Sequence, residues 1–119
     1  MPDRPTIEAL LAAVEGYFNL MYDNDVARFD QVFASSAQLH GLRAGNKRRS
    51  PSPKAKSAPR HQQILLVDFA SAAQAVVKVR VRIDTVQYLD YLSYHCIDGL
   101  WLITAKSFHI ERRYDAPAA

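Results

Sequence analysis

Cysteine is almost missing from this chain of 119 residues. Cys96 stands alone, so no internal disulfide can form and nothing points to an oxidising compartment. Glycine is scarce, and no glycine-rich phosphate loop or nucleophile elbow occurs, which removes two large classes of enzyme from consideration. No apolar run approaches the ~20 residues that a membrane-spanning helix needs. The opening stretch, MPDRPTIEALL, carries Asp3 and Glu8 and has no small-residue cleavage site after an apolar core, so no secretory leader is expected. The four histidines, His40, His61, His95 and His109, show no ligand-like spacing. No metal and no other cofactor is therefore expected. These absences together describe a cytoplasmic protein.

The net charge of +3 is unevenly spread. Residues 43–60 (RAGNKRRSPSPKAKSAPR) hold seven basic residues and no acid, and the rest of the chain is acidic with a net charge of −4. The high isoelectric point therefore belongs to one segment and gives no basis for a nucleic-acid partner. Its proline, serine and lysine content cannot bury a core, so a mobile basic loop is expected there. The chain length supports one domain, residues 1–119, with a modest core.

The remaining sequence is strongly patterned. Ile7, Leu10, Leu11, Val14, Phe18 and Met21 recur at helical spacing, which predicts a helix over Ile7–Tyr22 with Thr6 as its N-cap. Asp23-Asn24-Asp25 ends it and can cap a second helix, Val26–Phe33. A turn is expected at Ser35-Ser36, then strands over Ala37–Leu42 and Gln62–Ala70. From Gln74 to Glu111 three long alternating strands follow. Asp98-Gly99 favours a two-residue type I′ turn, and Asp84-Thr85 supplies a second tight turn.

An unbroken register from these turns divides the sheet into two faces. Trp101, Ile103, Tyr94, Leu92, Val77, Val79 and Val81 fall on an apolar inner face, with Asp90, Tyr88, Ser107 and His109 at its polar end. Lys78, Arg80, Arg82, Tyr91, Ser93, His95 and Lys106 fall on the outer face, which suits a homodimer interface.

Two segments resemble a known family. The run YFNLMYDNDVARFDQVFASSAQLHG (17–41) is similar to the signature of the nuclear-transport-factor-two-like superfamily: a tyrosine-bearing helix, a turn with Asn24-Asp25 where Gly-Asp is common, a short helix ending in Phe, and a strand. DYLSYHCIDGLWLITAKSF (90–108) is similar to its closing hairpin. The nearest subgroup is the one labelled lumazine-binding, related to polyketide-cyclase-like and ketosteroid-isomerase-like proteins. The resemblance implies an α+β cone, with N-terminal helices on the concave face of a strongly curved mixed or antiparallel sheet, and a homodimer through the outer face. It also implies a pocket for a small hydrophobic ligand, in members that are enzymes and members that only bind. Relatives often carry a third helix where this chain has its basic segment.

The resemblance places Tyr17 and Asp90 near the positions of the isomerase's tyrosine and aspartic acid, which together form an oxyanion hole. Gly41 stands where that enzyme has its base, so the same reaction is not expected; His40, one position earlier, is a candidate base. Phe18, Tyr22, Tyr88, Tyr94, Trp101 and His109 are the candidate ligand-pocket residues. Each of these also has a structural reading: Asp90 as a hydrogen-bonded residue at the end of the sheet, His40 at the rim, and the aromatics as ordinary core. Two functions follow from different classes. One is a small-molecule binder, with isomerase- or cyclase-like proton transfer if it is an enzyme. The other is a non-catalytic dimeric interaction module whose cone is filled by its own side chains.

Overall fold

A computed structural model describes residues 2–23, 25–40 and 60–114. Helix α1 spans Arg4–Asp23. Its cap is Asp3, whose carboxylate accepts from the backbone N–H of Thr6 at 3.1 Å. The helix therefore starts earlier than Thr6 suggests, and Pro5 sits inside the first turn, where its missing N–H costs nothing. Asp25 caps a short 3₁₀ turn, Val26–Arg28, by accepting from the N–H of Ala27 at 3.1 Å. That turn leads directly into α2, Phe29–Val32. Phe33 already belongs to strand β1, Phe33–His40, so Ser35-Ser36 is extended and not a turn. The other strands are β2 (His61–Ser71), β3 (Gln74–Ile83), β4 (Val86–Ile97) and β5 (Leu100–Arg113). The basic segment lies outside the described residues except for Arg60, as does Leu42.

The sheet order is β1-β5-β4-β3-β2. β1 runs parallel to β5 and every other pair is antiparallel, so the sheet is mixed. β1 and β2 are consecutive in the chain yet occupy opposite edges of the sheet. Asp98 and Gly99 both have positive φ, as a type I′ turn requires. The β3–β4 register matches the sequence expectation throughout, with Val77 opposite Leu92, Val79 opposite Asp90 and Val81 opposite Tyr88.

The β4–β5 ladder departs from expectation halfway along. Tyr94 pairs with Ile103, but Ser93 pairs with Ala105, leaving Thr104 as an extra residue on β5. Relative to an unbroken register, this β-bulge moves Ala105 to Ile110 to the other face. Lys106 now lies opposite Leu92 and Phe108 opposite Asp90, both on the inner face. Ser107 and His109 pair with Tyr91 and Leu89 on the outer face, and both are exposed. The expected placements of Lys106 on the outer face and of Ser107 and His109 on the inner face are thus reversed. Further register shifts fall at Leu65 and Ala70 in β2 and at Glu111 in β5.

The core forms where α1 lies on the inner face. Leu10, Val14, Tyr17 and Phe18 of α1 pack with Val77, Val79, Leu92, Tyr94 and Ile103 of the sheet. Ile7 and Leu11, expected in the apolar stripe, remain 37% and 40% exposed. The helix is rolled so that Tyr17, at the edge of the stripe in sequence, is fully buried. Trp101 and Phe69 meet edge to face at the far end, with ring centroids 6.1 Å apart.

Two side-chain arrangements tie the opposite end together. The Tyr22 hydroxyl accepts from the N–H of His61 at 2.8 Å and lies 2.9 Å and 3.0 Å from the carbonyl oxygens of His61 and Arg82. It fastens the end of α1 to β2 and β3. Replacing Tyr22 with Phe leaves these backbone groups half-buried without that partner, and a loss of about 1–3 kcal/mol is expected in urea unfolding. On the outer face, Arg80 holds Glu111 with two hydrogen bonds (2.8 and 3.0 Å) and donates to Gln63 at 2.9 Å. Gln87 donates to the same Glu111 and accepts from the Tyr114 hydroxyl. These contacts hold the Glu111 carboxyl down at about 2, with Arg80 the main cause.

Candidate functional site

Among the described residues the sheet buries one ionisable acid, Asp90, which is 2% exposed. It projects from β4 onto the inner face between Val79 and Phe108. The Tyr17 hydroxyl, from α1, donates to Asp90 Oδ2. The helix and the sheet are thus joined across the interior by a polar contact, and two residues 73 positions apart come together. Asp90 Oδ1 and the Tyr94 hydroxyl are buried and have no hydrogen-bond partner among the described residues. Leaving such a group buried and unmatched costs about 1–3 kcal/mol each.

Burial sets the electrostatics. It raises the Asp90 carboxyl above the ordinary aspartate range, while the Lys106 charge and the Tyr17 hydrogen bond pull it partly back. It also pushes the Tyr17 hydroxyl well up, helped by the Asp90 charge, and raises the Tyr94 hydroxyl. The pair can therefore hold a proton that an exposed aspartate would have lost, and give or accept one in a water-poor setting.

Lys106 completes this end of the inner face. Its Nζ lies 5.3 Å from the Tyr17 ring centroid, 6.0 Å from that of Phe108 and 3.9 Å from Met21 Sδ. Tyr88 and Phe108 pack edge to face beside it, with centroids 5.7 Å apart.

The structure brings together Tyr17, Asp90, Tyr88 and Tyr94 of the sequence candidates. Phe18 and Trp101 are core, and Trp101 sits at the opposite end of the sheet beside the Asp98-Gly99 turn. Tyr22 spends its hydroxyl on backbone groups. His109 points outward. His40 closes β1 with its backbone beside Ser107; its side chain and Gly41 lie outside the described residues. Lys106 and Phe108 are the site residues that sequence reasoning missed. A signal was present: the apolar positions of β5 switch from odd (Trp101, Ile103) to even (Phe108, Ile110), and a one-residue bulge is the simplest way to keep both sets inside. Among the described residues no group of three His, Cys, Asp or Glu could hold a metal ion, and no helix is long and apolar enough to cross a membrane.

The helix-covered mixed sheet has the cone fold of nuclear-transport-factor-two-like proteins. Solved structures agree. An NTF2-like protein of unknown function from Silicibacter pomeroyi has a TM-score of 0.75 at 22% identity, covering 93% of this chain and 100% of that one. Another from Shewanella baltica has a TM-score of 0.72 at 16% identity, covering 92% and 96%. A hexachlorocyclohexane dehydrochlorinase from Novosphingobium barchaimii has a TM-score of 0.62 at 12% identity, covering 97% and 91%. No curated protein matches the chain. The family model described as "Putative lumazine-binding" matches residues 5–109, and the chain belongs to that family.

Proposed function

We propose that this protein binds a small ring compound at the polar end of the cone, with Asp90, Tyr17 and Tyr94 as its polar contacts. One observation carries the reading: Asp90 Oδ1 and the Tyr94 hydroxyl are buried and have no hydrogen-bond partner among the described residues. A ligand bearing hydrogen-bonding edges would supply those partners and recover the cost of burying them. The family's lumazine-binding description points to the same kind of molecule. Proton transfer is the chemistry that the Tyr17–Asp90 pair supports best. A reaction also needs a base, and the backbone of His40 reaches the same end of the sheet, beside Ser107.

Native mass spectrometry of the purified protein is the direct test. A copurified small molecule is expected, and it should be lost from Asp90→Asn. Lumazine, which fluoresces, is a first probe: saturable binding weakened about tenfold or more by Asp90→Asn supports the assignment. Unchanged binding removes Asp90 from the contact set.

The second reading, an interaction module with a filled cone, draws support from the interior beyond Asp90, where Tyr17, Tyr94, Leu92 and Ile103 are fully buried. A protein that copurifies with nothing and takes up no ring compound would favour it. Both readings include a homodimer through the outer face. There Leu66, Val76, Tyr91, Ile97 and Leu100 remain exposed, and Lys78 lies 5.4 Å over the Tyr91 ring.

A further inference from the structure

The bulge at Thr104 has a chemical result: it turns a lysine inward. Were Thr104 paired with Ser93 in an unbroken ladder, Lys106 would face outward beside Tyr91. With the bulge, the ammonium sits over the Tyr17 ring, against Met21 and Phe108, on the same face as Asp90. Bulges are known to re-aim side chains beside functional sites. A lysine directed toward an interior carries a desolvation cost that a purely structural position would avoid with an apolar residue. Its charge acts on the Asp90 carboxyl, one oxygen of which accepts from the Tyr17 hydroxyl.

We infer that Lys106 makes this site selective for anionic ring compounds, such as aromatic carboxylates, phenolates or enolates, whose negative oxygen meets the ammonium while the ring packs on Tyr88 and Phe108. The inference rests on the ligand-binding reading above and adds the charge of the ligand to it. Tyr88 and Phe108 are both part-exposed on the inner face and meet edge to face, so a flat guest entering between α1 and the sheet would meet rings first and the ammonium next. A neutral guest of the same shape would gain the ring contacts and lose the charged one. In a setting partly screened from water that difference is worth about tenfold in affinity or more.

Two fluorescent probes of matched shape separate the possibilities: anionic 1-anilinonaphthalene-8-sulfonate and neutral N-phenyl-1-naphthylamine. The unaltered protein should bind the anionic probe about tenfold more tightly than the neutral one. Lys106→Met should bring the two to parity by weakening only the anionic probe, and Lys106→Arg should restore the preference. Thermal melts of both variants establish that they are folded, and the arginine variant reports on charge if the methionine variant is not. Equal affinity for both probes in the unaltered protein, or an anionic preference that survives in Lys106→Met, overturns the charge selectivity and leaves the pocket standing. Failure of both probes to bind overturns the selectivity and the pocket together.

Discussion

Deleting Thr104 is expected to destabilise this protein while leaving Lys106 and Phe108 on the inner face. Removing the bulge residue gives a continuous ladder in which Ser93 still pairs with Ala105, Leu92 with Lys106 and Asp90 with Phe108, so no side chain changes face. The loss comes from the local twist that a bulge supplies. It comes also from the Thr104 hydroxyl, which meets His95 Nδ1 at 2.7 Å and the carbonyl oxygen of Ser93 at 3.3 Å. A cost of about 1–3 kcal/mol follows, and the unfolding midpoint should fall by about 4 °C or more for a chain of this size. Differential scanning calorimetry reads it directly. A midpoint equal to that of the intact protein would mean that neither the twist nor the Thr104 contacts add to stability.

The second large effect belongs to Tyr17→Phe, and it should grow with pH. The Asp90 carboxyl is raised above its unfolded value. Stability from such a group is complete below the unfolded value near 3.8 and is lost as pH rises through the folded one. The Tyr17 hydrogen bond lowers the folded value, so removing it raises that value further and deepens the loss at neutral and alkaline pH. Tyr17→Phe should therefore be mildly destabilising at pH 4 and cost about 2–4 kcal/mol at pH 8, where an ionised carboxylate stays buried with one partner fewer. In the double variant Tyr17→Phe, Asp90→Leu both polar groups are gone, and stability at pH 8 should recover most of that loss. Urea titrations at the two pH values give the comparison. A Tyr17→Phe loss that is the same at pH 4 and pH 8 would show that Asp90 does not titrate differently in the two folded proteins.

Much of the architecture could be read from the sequence, because period-two patterning and a type I′ turn are local signals. Asp98-Gly99 places Tyr94 against Ile103 without reference to the rest of the molecule. The β3–β4 pairing likewise follows from its own tight turn. What escaped was the phase of β5 beyond Ile103, since a bulge is set by how neighbouring strands twist and pack. The misplacement of Lys106, Phe108, Ser107 and His109 all comes from that one residue. The roll of α1 escaped for a related reason. Tyr17 is apolar enough to enter the core and polar enough to look like an edge residue, and its burial is decided by the presence of Asp90 opposite, 73 positions away. The pairing of Tyr17 with Asp90 entered the sequence reading through family resemblance, because no local pattern links them.

The Arg80 network can also be considered as a mechanical part. Gln63, Arg80, Gln87 and Glu111 come one each from β2, β3, β4 and β5. They form a cross-brace over four adjacent strands at one end of the sheet. Strands braced in this way cannot fan apart without opening the Arg80 fork. With the Glu111 carboxyl held at about 2, the brace keeps its charge through ordinary acidity and loosens only as pH falls from the usual glutamate range toward that value. Compliance at this end must then lie between the helix and the sheet. A guest molecule would gain entry by lifting α1 at its Tyr22 fastening and not by spreading the strands.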